Sequence, residues 1–186
     1  MNNDITKIKQ KLSTSVVDFR LPRYAQLPNM GLYLEQVVRY INGFLESVSC
    51  ADITPSMISN YVKKGIIPPP QKKQYFADQI AYLIFIAITK NVISFENIEA
   101  LFEMQKRGFT IAMAYDYFCA ELENMLAFIF GHKEKPDENL GVTRTEQRAF
   151  LRHVIISVSH SLYIRAYFSE LQKQNESKNE NDKTKE

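Results

Sequence analysis

Short hydrogen-bonding side chains recur at helical spacing between residues 55 and 64. Positions i, i+3, i+4 and i+7 of this stretch lie on one helical face and carry Ser56, Ser59, Asn60 and Lys63. In the DNA major groove, Asn pairs with adenine, Lys with guanine or phosphate, and Ser with several bases. These four residues are therefore the predicted base-reading group of a helix that lies in a major groove.

The charge around this face is one-sided. No Asp or Glu occurs between Asp52 and Asp78, although the whole chain has a formal net charge of only +2. A carboxylate in this stretch would repel phosphate groups, whereas lysines release counterions when they neutralise them. The predicted phosphate contacts are Lys64, Lys72 and Lys73.

The helix that carries this face is bounded by its own sequence. Thr54 is a suitable N-cap and Pro55 fits the first helical position. Gly65 suits the left-handed position after the last turn. The predicted buried side consists of Met57, Ile58, Tyr61 and Val62. Tyr61 is assigned mainly to packing, with its hydroxyl as a further candidate for a phosphate contact.

The segment after this helix predicts a short wing. Ile66 and Ile67 are expected to turn inward, and three consecutive prolines at 68–70 force a stiff extended backbone. Two lysines follow, and Tyr75 is expected to pack back on the core. A helix, an extended basic excursion and then a buried helix is the order found in winged helix-turn-helix domains.

These residues resemble a known family. Residues 54–70, TPSMISNYVKKGIIPPP, are similar to the second helix and first wing strand of the MerR family of transcription regulators, and residues 74–86, QYFADQIAYLIFI, continue that similarity. The resemblance covers about residues 50–103. It implies sequence-specific binding of double-stranded DNA by a dimeric regulator. The overall layout also resembles a bacterial family catalogued as domain of unknown function 1836.

Helix-breaking residues are few, which favours an all-α fold with a minimal wing and one long C-terminal helix. We expect a polar N-terminal segment at 1–18, for which a frayed helix is one interpretation, and a MerR-like winged helix-turn-helix domain at 19–106. A helical dimerisation or partner region follows at 107–172. Its long helix starts at Thr143 or Thr145. The tail at 173–186, rich in charge and poor in large apolar residues, is expected to be disordered.

Other chemistry finds little support in the residue types. His153 and His160 lie seven residues apart, too far for one metal ion without a ligand between them, and Cys119 is expected to be a buried small hydrophobe. No catalytic constellation or cofactor fingerprint occurs, so we expect neither an enzyme nor a cofactor. The most apolar run, at 80–88, is nine residues long, whereas a bilayer span needs about 20. The expected location is the cytoplasm, without a membrane partner.

The C-terminal half leaves alternatives open. Its aromatic residues favour core packing over a pocket for a small-molecule effector: Tyr115, Tyr117, Phe118, Phe128, Phe130, Tyr163, Tyr167 and Phe168. The last helix offers enough apolar surface for a homodimer: Ala149, Phe150, Val154, Ile155, Val158, Leu162 and Ile164. The alternative function is a protein–protein interaction module that keeps the helix-turn-helix scaffold without binding DNA.

Overall fold

The computed structural model describes residues 2–48, 50–138 and 145–183. These form a mostly helical fold with one small antiparallel sheet, which confirms the all-α prediction at the level of fold class. The helices are α1 Asn2–Ser15, α2 Leu34–Leu45, α3 Pro55–Lys63, α4 Ala77–Thr89, α5 Phe95–Lys106, α6 Ile111–Ile129 and α7 Glu146–Lys183. The strands are β1 Leu32–Tyr33 and β2 Gln74–Tyr75, and short 3-10 turns occupy Tyr24–Gln26 and Glu46–Val48.

Four helices begin at hydroxyl caps, which satisfy backbone N–H groups that have no partner within the helix. In each case the hydroxyl accepts a hydrogen bond from the backbone N–H three residues on, at 3.3–3.4 Å: Thr54, Ser94, Thr110 and Thr145. The predicted start of α3 is confirmed, as is its end, where Gly65 has a φ of +74°. Thr143, the other predicted cap for α7, lies outside the described residues.

Helix α4 forms the centre of the core. All its residues from 79 to 89 are buried, because the helix packs against α2, α6 and α7. A helix that is apolar on all sides gains most from such a position, since every face is removed from water. This confirms the buried helix that the sequence predicts after the basic excursion.

The connector at 19–30 is ordered by polar contacts with α6. Arg23 donates to both carboxylate oxygens of Glu123, each at 2.7 Å, and the backbone N–H of Leu21 donates to the same carboxylate at 3.0 Å. The backbone N–H of Tyr24 donates to Asp116 at 2.7 Å. A bidentate pair fixes both distance and orientation, so the connector, which leads into β1 and α2, is itself held against α6.

Both ends of the described chain are helical. The segment at 1–18 contains α1, which packs against α7 and buries Ile8, Leu12 and Val16. Apolar residues four apart share a helix face. The surface of α7 that covers this face lies far away in the sequence. The tail expected to be disordered continues α7 as far as Lys183, and residues 184–186 lie outside the described residues. No described helix combines the length and apolarity needed to cross a membrane.

Candidate nucleic-acid interface

The entrance to α3 is held from two sides. The side chain of Asn42 on α2 donates to the carbonyl of Ile53 at 3.0 Å and accepts from its N–H at 2.9 Å. The ammonium group of Lys90, just after α4, donates to the carbonyls of Ala51 at 3.0 Å and Asp52 at 2.6 Å. These contacts satisfy backbone groups that the turn leaves open, and they fix where α3 begins.

The two faces of α3 separate as predicted. Ile58 and Tyr61 are buried, and Met57 and Val62 are partly buried. The predicted base-reading residues are all exposed: Ser56, Ser59, Asn60 and Lys63. Within the described part of the chain, none of these four side chains is held by a hydrogen bond or an ion pair. The face therefore presents hydrogen-bond donors and acceptors to the solvent.

Two of the three prolines are attached to the core by one buried side chain that sequence reasoning missed. The amide nitrogen of Gln79, in the first turn of α4, donates to the carbonyls of Pro68 at 3.0 Å and Pro69 at 2.9 Å. Its amide oxygen accepts from the backbone N–H of Phe76 at 2.9 Å. Gln79 is only 6% exposed, so all three bonds are shielded from water.

The predicted wing is a tight hairpin at Gln71–Gln74. The backbone N–H of each of these two glutamines donates to the carbonyl of the other, both at 2.9 Å. Lys72 and Lys73 form the turn with φ of 49° and 67°. Two left-handed residues define a type I′ turn, in which Asn-Gly is normally preferred. Lysine is strained here by roughly 1 kcal/mol or more per residue, so turn geometry does not account for the choice of lysine.

The hairpin rests on the strand that leads into α2. In the antiparallel ladder, Leu32 is opposite Tyr75 and Tyr33 is opposite Gln74. A side chain at Gly31 would bring its Cβ within 2.7 Å of the Cβ of Gln74, so glycine allows this close approach. Tyr33 is 55% exposed beside the hairpin. Tyr33 is therefore a further candidate for contact with nucleic acid. The sequence did not indicate this, because β1 and β2 pair although they lie far apart along the chain.

The structure qualifies two of the predicted phosphate contacts. Lys64 is exposed, but its ammonium group lies 5.3 Å from the centre of the Phe95 ring, in a cation–π contact at the start of α5. Tyr61 is 1% exposed, and its hydroxyl is buried without a hydrogen-bond partner among the described residues. Burial also raises the pKa of Tyr61. Its packing role is confirmed, and its candidate role as a phosphate contact is wrong.

A carboxylate also approaches the end of α3. The pKa of Glu96 is lowered by a hydrogen bond from its own backbone N–H, by one from Ser94, and by the charge of Lys64. The free lysine charge of this face is therefore concentrated on three residues, all exposed: Lys63, Lys72 and Lys73.

Other candidate reactive groups are buried or scattered. Cys119 is fully buried, and burial raises the pKa of its thiol to about 12. A thiol is not a nucleophile until it ionises, so the prediction of a buried small hydrophobe is confirmed. Among the described residues, no group of three or more His, Cys, Asp or Glu side chains could hold a metal ion.

One family model matches residues 22–118, which is more than half of the chain. Its description is domain of unknown function DUF1836. The chain belongs to the DUF1836 family. No curated protein and no solved structure shows significant similarity to it.

The DUF1836 match contains the whole candidate interface. It begins in the connector and includes β1, α2, α3, the hairpin, α4 and α5, and it ends inside α6. Helices α1 and α7 lie outside the match. The DUF1836 region is therefore the part of the chain in which the exposed face of α3 and the lysine hairpin are positioned.

Replacement of Gln79 by Met tests whether one amide holds the hairpin. Gln36→Met is the matched control, because Gln36 also accepts a hydrogen bond from the N–H three residues before it, at 2.8 Å, but is exposed. We expect Gln79→Met to lower the free energy of unfolding in urea by about 2–4 kcal/mol, since buried groups lose their partners. The control should lose about 1 kcal/mol or less.

Hydrogen exchange separates loss of stability from release of the hairpin. The amide protons of Gln71 and Gln74 should exchange faster in Gln79→Met than in the control. This difference should persist at urea concentrations well below those that unfold either variant. Equal losses of stability in the two variants, with unchanged exchange at the hairpin, would contradict this role for Gln79.

Proposed function

We propose that this DUF1836 protein is a cytoplasmic, non-enzymatic transcription regulator that binds duplex DNA through a MerR-like winged helix-turn-helix domain. One observation carries the proposal: the exposed face of α3 has hydrogen-bonding side chains with no partners in the described chain and no carboxylate within its own stretch. A helix presenting Asn, Ser and Lys has the hydrogen-bonding groups that major-groove readout uses.

The residues of α3 and of the hairpin have different roles in this proposal, which follow from their charge and their position. Ser56, Ser59, Asn60 and Lys63 read base edges, with Asn60 best suited to adenine. Lys72 and Lys73 contact phosphates from the hairpin, and Lys64 reaches a phosphate only by leaving the Phe95 ring. The strained hairpin supports this division, because two lysines are kept where Asn-Gly would be more stable.

The protein acts as a homodimer through α7. Of the apolar residues that the sequence offered for this purpose, four are buried within the chain itself: Val154, Ile155, Val158 and Leu162. A separate stripe remains on α7, where Phe150, Ile164 and Phe168 are 50%, 54% and 57% exposed. Their spacing of 14 and 18 residues returns to nearly the same angle on the helix. Exposed apolar residues on one face of a long helix suit a two-fold dimer, in which the same face of each partner meets the other and two α3 helices are presented to two half-sites.

The double variant Lys72→Asn/Lys73→Gly tests the proposed DNA contact without damaging the fold. Because Asn-Gly suits a type I′ turn, the free energy of unfolding should rise by about 1 kcal/mol. Affinity should fall for a duplex selected from a random DNA pool, measured by fluorescence anisotropy. The slope of log K against log salt should become shallower by about 2, since two phosphate contacts are lost.

The control for charge is Lys7→Gln/Lys9→Gln on the exposed face of α1, which changes the net charge equally. Its salt slope should match that of the wild-type protein. The DNA proposal fails if the wild-type protein selects no duplex and binds none at low salt. That result, together with an intact dimer, would favour the protein–protein interaction module.

Replacement of Ile164 by Glu tests the dimer. A charge placed in an apolar interface is desolvated without a partner, so the variant should be monomeric by sedimentation velocity at concentrations where the wild-type protein is dimeric. Met30→Glu is the control, because Met30 is 70% exposed outside this stripe. A monomeric wild-type protein, or an Ile164→Glu variant as dimeric as the control, would contradict the α7 interface.

A further inference from the structure

A pocket of about 80 Å³ opens between α4, α5, α6 and α7. Aromatic rings form much of its wall. The ring centroids of Tyr82 and Phe102 are 4.3 Å apart, and the centroid of Phe85 lies 5.6 Å from that of Phe102 and 4.9 Å from that of Phe118. Side chains that border unfilled space lose dispersion contacts on that side. The pocket is therefore a candidate site for an apolar group.

Hydrogen bonds within the wall hold the pocket in shape. The hydroxyl of Tyr82 donates to the side-chain oxygen of Gln105 at 3.0 Å, and the side-chain nitrogen of Gln105 donates to the carbonyl of Phe109. These bonds join α4, the end of α5 and the turn that leads into α6. A preformed apolar pocket loses less conformational entropy on binding than one that must first be ordered.

Two methionines border the pocket. Met104 is partly buried, and Met113 is 52% exposed. Methionine has a flexible, unbranched side chain that adapts to irregular apolar shapes. By folding over a bound apolar group, Met113 would remove part of its own surface from water, which adds to the apolar area buried on binding.

We propose that this pocket binds the alkyl tail of a small aliphatic molecule, about four carbon atoms long, and leaves the polar head of that molecule in water. The volume sets the length of the tail. An apolar cavity of roughly 150 Å³ admits the ring of benzene. The pocket has about half that volume, so it encloses roughly three to four carbon atoms. Binding of such a tail needs no hydrogen bond from the wall.

A series of straight-chain alcohols, from ethanol to hexanol, tests the length of the tail in the full chain. The alcohols share one uncharged head, so differences between them report the tail alone. Each methylene group that enters the pocket should tighten binding about fourfold, which corresponds to about 0.8 kcal/mol. This gain should continue as far as butanol, with a Kd of about 10 mM or below. It should then level off, because further carbon atoms remain in water.

NMR of isotope-labelled methionine methyl groups locates the binding. The signals of Met104 and Met113 should shift in a saturable way with butanol. The signal of Met30 is the internal control and should not shift, because Met30 is 70% exposed and does not line the pocket.

Replacement of Ala114 by Leu tests the pocket directly. Ala114 lines the pocket, so a leucine side chain should fill it and weaken the binding of butanol at least about tenfold. Ala100→Leu is the matched control, because Ala100 is exposed on α5 and does not line the pocket. It should bind butanol as the wild-type protein does.

Three results would overturn the assignment: no saturable shift at Met104 and Met113, an equal shift at Met30, or affinity that rises by the same factor from butanol to hexanol. Unchanged affinity in folded Ala114→Leu would also overturn it. If that variant does not fold, benzyl alcohol decides with the wild-type series. Its ring exceeds the pocket, so it should bind more weakly than butanol, and tighter binding would contradict the proposed size. None of these measurements involves DNA, so the site and the proposed function fail separately.

Discussion

The buried amide of Gln79 is the constraint on which the candidate interface depends. Proline residues have no backbone N–H, so a run of three cannot be held by an ordinary strand ladder, and its carbonyls need donors from elsewhere. Gln79 supplies them to Pro68 and Pro69 and at the same time binds the N–H of Phe76. Since α4 is the centre of the core, the segment before the hairpin is attached to an element that is buried along most of its length.

Helix α4 also helps to position the entrance to α3, which is the other part of the candidate interface. Lys90, at its far end, donates to the two carbonyls that precede the entrance to α3. Ala81, Tyr82 and Phe85 of the same helix line a pocket between α4, α5, α6 and α7. Desolvation lowers the pKa of Lys90, an indication that its head group is partly withdrawn from water to make these bonds. The entrance to α3 and the proline segment before the hairpin are thus both held by residues of one buried helix or its end.

Local signals in the sequence predicted the helices well. Thr54, Pro55 and Gly65 marked the ends of α3 because caps and left-handed residues act within a few positions. The exposed face of α3 could be predicted from the helical spacing of its polar residues. Long-range partners could not be predicted: Gln79 looks like any glutamine until the prolines fold onto it, and Ile8, Leu12 and Val16 look like a weak helix until α7 covers them. The burial of the Tyr61 hydroxyl depends likewise on the packing of α5.

The central claim is that α3 and the hairpin together form the surface that meets DNA. Hydrogen–deuterium exchange of the full chain, with and without a duplex selected from a random pool, tests it most directly. The account predicts slower exchange on DNA binding in the peptides that span 54–64 and 71–75, with α6 little changed. DNA-dependent protection confined to α6 and α7, with residues 54–75 unchanged, would contradict it.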